Sequence, residues 1–138
     1  MKRSTTQLML ILIGIMLSVT ACGAGAKASE SIDPESVGDP ELGAAIFATS
    51  YTEAPSCSFC HTISDDDSGI GPSLYGIGNR AGNRVDGMNA VVYLRESIVD
   101  PNAYIADGSS KSRMYAHFDE LLSDEDIDNL IAYLLILK

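Results

Sequence analysis

Residues 57–63 read CSFCHTI. Two cysteines stand three positions apart, and a histidine follows the second at once. A thioredoxin-like redox pair needs a βαβ setting, and the sequence shows none. A zinc site needs four ligands. Beyond these three side chains only His117 remains, too few to close one. A Cys57–Cys60 disulfide would close a tiny loop and contribute little order. Covalent haem attachment needs this order of residues. Each thiol adds to one haem vinyl group, giving two thioether bonds. The imidazole of His61 then meets the iron.

Iron held by His61 calls for a ligand on its other side. Met114 is the candidate, because methionine is a soft ligand and a Met/His pair raises the reduction potential. It lies in an irregular segment ahead of the last helix, far enough from His61 for the chain to wrap a ring. His117 competes for the role, and Met88 reads as packing. Haem would also supply bulk that the chain lacks. About 100 residues with 7% aromatics and a Gly-rich loop have little from which to build a core.

The elements that must position these side chains are helical. Asp39 caps a helix that opens with Pro40 and carries Leu42, Ile46 and Phe47 at helical spacing. The CSFCH turn follows, then the loop SDDDSGIGPSLYGIGNRAGNR, then a helix near AVVYLRESIV that Pro101 stops. The last helix is the clearest. Ser123 and Asp126 form a capping-box pattern, acidic residues crowd the first turn, and Ile127, Leu130, Ile131 and Leu134 mark one face. No segment carries a strand pattern, so the fold class is all-α. SDDDSG lacks the glutamate that ends an EF-hand calcium loop and reads as a solvated acidic loop.

CSFCH, GPSLYG and then RM followed by LLSDEDIDNLIAYLL together resemble the class I c-type cytochromes, over about residues 39–138. The resemblance implies a small helical fold wrapped around one covalent haem c. In it the first and last helices cross, with Gly43 and Phe47 facing Ala132 and Tyr133. It implies that the Pro72 carbonyl meets the second nitrogen of His61 and fixes the ring. Tyr75, Asn79, Arg80 and Arg84 fall where such proteins satisfy the haem propionates. The family often has proline after the ligand methionine, where this chain has Tyr115. YLRESIVDPNAYIADG further resembles haem domains of terminal oxidases and small cytochrome subunits of respiratory complexes.

The N-terminus has the layout of an export signal: Lys2 and Arg3, the apolar run LMLILIGIML, then small residues. LSVTAC resembles a bacterial lipobox, with Val19 where leucine is preferred. That implies cleavage before Cys22 and lipid on its thiol and new amino group. Residues 1–21 are then a lipoprotein signal, 22–38 a lipidated flexible tether and 39–138 the cytochrome domain. The expected location is the outer face of the bacterial cell membrane or the periplasm, lipid-anchored.

The full chain has a formal charge of −10; without Lys2 and Arg3, seven basic residues face 19 acidic ones, giving −12. Such a charge excludes nucleic acid and suits redox protein partners with a basic docking face. The function this reading gives is one-electron transfer, not catalysis, in a membrane-associated respiratory or photosynthetic chain. Two alternatives stand beside it. One is a permanent subunit of a larger quinol-oxidising or terminal oxidase complex. The other is a peroxidase-like haem enzyme or sensor with an open sixth site.

Overall fold

The computed structural model describes residues 32–64, 69–105 and 114–138. The signal segment, Cys22, most of the tether and Asp65–Asp67 lie outside the described residues. Six α-helices and no strand occur among the described residues, which form an all-α fold. They are α1 (Pro40–Ala48), α2 (Cys57–Cys60), α3 (Ile77–Arg80), α4 (Ala90–Val99), α5 (Phe118–Leu121) and α6 (Asp124–Ile136). None is long and apolar enough to cross a membrane.

Local chemistry sets the ends of the three longer helices. The Asp39 carboxylate accepts from the backbone N–H groups of Glu41 and Leu42, at 2.8 and 3.2 Å, and Pro40 supplies a pre-set φ at the first helical position. Asn89 caps α4 by accepting from Val92 N–H at 2.9 Å, and α4 ends at Val99, two residues before Pro101. Ser123 and Asp126 form a reciprocal capping box at the start of α6.

Helices α1 and α6 cross at Gly43. A β-carbon there would stand 2.0 Å from the Asn129 carbonyl oxygen and 2.8 Å from Tyr133 Cβ, so only glycine lets the two backbones approach this closely. Phe47 packs on Tyr133 one turn further along, with ring centroids 5.4 Å apart. Gly43, Phe47 and Tyr133 thus stand at the crossing, and Ala132 is fully buried. Asn129, which no sequence pattern singled out, adds a polar tie. It is buried, and its Oδ1 accepts from Asp39 N–H at 2.7 Å. One cap therefore joins the start of α1 to the middle of α6.

The chain is already ordered against α6 ahead of Asp39. Residues Pro34–Ser36 form a 3-10 turn, Val37 packs on the core, and Gly38 approaches the Asp128 and Asn129 backbone. On the far side, Arg95 of α4 pairs with Asp124 at 3.2 Å and with Asp128. Ile127, Leu130, Ile131, Leu134 and Leu135 are buried along α6, and Leu94 and Ile98 along α4. Each such side chain contributes about 1.5–3 kcal/mol by leaving water.

Candidate functional site

Helix α2 is a single turn. His61 N–H donates to the Cys57 carbonyl at 2.9 Å and closes it, and His61 itself turns to extended backbone. Cys57 and Cys60 therefore share one face, and the imidazole leaves the turn beside them. Two backbone hydrogen bonds then fasten the next segment across this one. Gly71 N–H donates to the Cys60 carbonyl at 2.9 Å, and Leu74 N–H donates to the Thr62 carbonyl at 2.8 Å.

Between those two bonds the Pro72 carbonyl faces the imidazole. His61 Nδ1 lies 2.7 Å from it. A carbonyl only accepts, so Nδ1 carries the proton and Nε2 keeps its lone pair for a metal. Gly71 supports the ring from the side. A β-carbon at Gly71 would stand 2.6 Å from Cε1 and 2.9 Å from Nδ1. The imidazole is thus held by one hydrogen bond and by bare backbone. Burial, with a smaller contribution from Cys60, pushes the Cys57 thiol up to about 11, against a lowering hydrogen bond to its own backbone.

Cys57, Cys60 and His61 form part of the wall of one cavity of about 520 Å³. Pro72, Leu74 and Ile77 continue it, α4 adds Tyr93, Leu94, Ser97 and Ile98, and Leu130 and Leu134 come from α6. Met114 and Tyr115 also line it, so chain segments more than fifty residues apart bring His61 and Met114 to the same space. Met88 packs on the core outside that wall. His117 is exposed beyond it, 3.2 Å from Glu120 and stacked edge-on to Tyr115.

The model of the cytochrome c family matches residues 40–138. The chain belongs to the cytochrome c family. No curated protein matches it. Members of the family carry electrons through covalently bound haem c, and the residues of this cytochrome fit that group. Two thiols share a face, an imidazole has its outer nitrogen fixed and its inner one free, and the cavity is mostly apolar and ample for a cofactor. Among the described residues there is no cluster of three or more Cys, His, Asp or Glu side chains able to hold a separate metal ion.

The four residues expected at the haem acid groups lie apart from the cavity wall. Arg80 donates to the Ser73 carbonyl at 2.7 Å and to the Tyr75 carbonyl, bracing the loop that carries Pro72. Tyr75 and Asn79 are exposed. Arg84 Nε is buried with no hydrogen-bond partner among the described residues. Phe59 and Ile70 are about two-thirds exposed beside the cysteines, and Ile70 forms part of the cavity mouth. Gly71 and Ser97 were not singled out in the sequence. Gly71 was legible only as the partner of Pro72, and Ser97 only as the i+4 neighbour of Tyr93.

Proposed function

We propose that this cytochrome is a one-electron carrier between membrane-associated redox partners, in which Cys57 and Cys60 would hold haem c through thioethers and His61 and Met114 would ligate its iron. The single observation that carries the reading is that a carbonyl-fixed imidazole and Met114 line one mostly apolar cavity. Haem c supplies reversible one-electron exchange between ferric and ferrous iron. The chain's own residues keep that exchange cheap. Pro72 holds the imidazole by accepting a hydrogen bond from Nδ1, and Gly71, lacking a β-carbon, leaves room for the ring. Leu94, Ile98, Leu130 and Leu134 exclude water from the ring, so little solvent has to reorganise as charge changes.

Arg80 braces the loop that carries Pro72 through the Ser73 and Tyr75 carbonyls. Lipid on Cys22 would hold the mature chain at the outer membrane face, and its formal charge of −12 suits a partner with a basic surface.

The reading is tested by potentiometric titration of the haem-loaded protein, run beside peroxide and carbon monoxide challenge. A carrier gives a single one-electron wave, no peroxide turnover and no ligand uptake by the resting protein. Peroxide turnover or prompt ligand binding would replace it with the enzyme or sensor reading. Purification from membranes in detergent separates a free shuttle from a fixed subunit, which would stay with its complex.

A further inference from the structure

Helix α4 turns Tyr93, Leu94, Ser97 and Ile98 toward the cavity. Among the described side chains of that wall Ser97 carries the one aliphatic hydroxyl. Its single proton is already committed: Ser97 Oγ donates to the Tyr93 carbonyl at 2.9 Å. A serine that bonds back onto its own helix in this way slightly destabilises it, and alanine is the better helix former. The residue therefore works against the local stability of α4. Its neighbours on the wall, Leu94, Ile98, Leu130 and Leu134, are apolar and buried, so they screen a dipole poorly.

We propose that Ser97 is a potential-setting residue. With its proton turned back to Tyr93, its oxygen lone pairs are left to the cavity and stabilise ferric over ferrous haem, lowering the reduction potential. The sign follows from charge. Ferric haem carries one more positive charge than ferrous haem, and the negative end of a fixed dipole favours the more positive state. The dipole is oriented before any electron arrives, so it acts without reorganising. This inference rests on the carrier reading for the presence of haem c in the cavity, and on the α4 geometry for its direction.

The test is potentiometric titration of haem-loaded wild type, Ser97→Ala and Ser97→Thr, with an absorption spectrum and a thermal melt of each. Ser97→Ala is expected to shift the ferrous-to-ferric ratio at fixed poise several-fold toward ferrous, below the tenfold that equals about 59 mV for one electron. It should melt no lower than wild type. Ser97→Thr keeps the hydroxyl and its bond to the i−4 carbonyl, and should titrate with wild type. An unchanged or lower potential in Ser97→Ala overturns the proposal. So does Ser97→Thr moving as far as Ser97→Ala, which would make the effect one of packing. The wild-type spectrum judges the carrier reading separately, since a high-spin wild type would end that reading while the alanine–threonine comparison still decides on Ser97.

Discussion

Replacing Gly43 by alanine puts a methyl group where α1 and α6 touch. In an exposed helix the same change stabilises by about 0.8–1.0 kcal/mol. Here the new carbon would lie 2.0 Å from the Asn129 carbonyl oxygen, and an ordinary contact begins at 3.4 Å. The obstacle is backbone, so no rotamer relieves it, and the helices must part by about 1.4 Å. Overpacking of this kind costs about 1–3 kcal/mol. The separation also strains the bond from Asp39 N–H to Asn129, worth about 0.5–1.5 kcal/mol, and loosens Phe47 on Tyr133. After subtracting the helix gain, the expected net loss is about 1–3 kcal/mol. At about 4–8 °C per kcal/mol for a domain of this size, Tm falls by roughly 5–20 °C. The assay is thermal unfolding of the haem-loaded protein by far-UV circular dichroism. Gly82→Ala is the control, because a β-carbon there meets nothing closer than 3.5 Å. A Gly43→Ala protein that melts at or above wild type would refute the crossing as the reason for this glycine.

Other perturbations probe separate parts of the fold. Leu130→Ala removes a buried side chain from the wall that α6 gives the cavity, and is expected to cost about 2–5 kcal/mol in denaturant unfolding. Ser123→Ala breaks the capping box and should cost about 1 kcal/mol in the same assay. Arg95→Ala loses two ion pairs whose partners are open to solvent, so its cost should stay within about 1 kcal/mol and shrink at high salt. Burial first, and then the Asp126 carboxylate, hold the Tyr51 phenol above its ordinary range. Folding therefore favours the neutral phenol. Its contribution is fully present below pH 10 and is lost as pH rises beyond it. Tyr51→Phe should flatten that alkaline loss in a stability–pH series, and an unchanged alkaline limb would count against the assignment.

The helices were legible where local chemistry and periodicity agree. Asp39–Pro40, Ser123 with Asp126, and the run from Ile127 to Leu134 mark their own helices because caps and apolar spacing act within one or two turns. Pro101 marks the end of α4 for the same reason. CSFCH was legible because attachment chemistry allows so few arrangements of two thiols and an imidazole. Asn129 was not legible, since a buried polar residue inside an apolar helix face is explained only by a partner 90 positions away. Gly71 was not legible either, since its need for a bare α-carbon comes from an imidazole ten residues away in the chain. Arg80 carried no sign that two carbonyls of its own loop would engage it. Ser97 was hidden among the apolar residues of α4, because a hydroxyl's direction depends on where its proton goes.

The central claim is that His61 and Met114 hold the same iron. It is tested most directly by the absorption and low-temperature EPR spectra of the oxidised, haem-loaded protein beside its Met114→Ala variant. The account predicts a low-spin, six-coordinate His/Met signature in the wild type and its loss in the variant. A wild type that is already high-spin, or a variant with an unchanged spectrum, would contradict it.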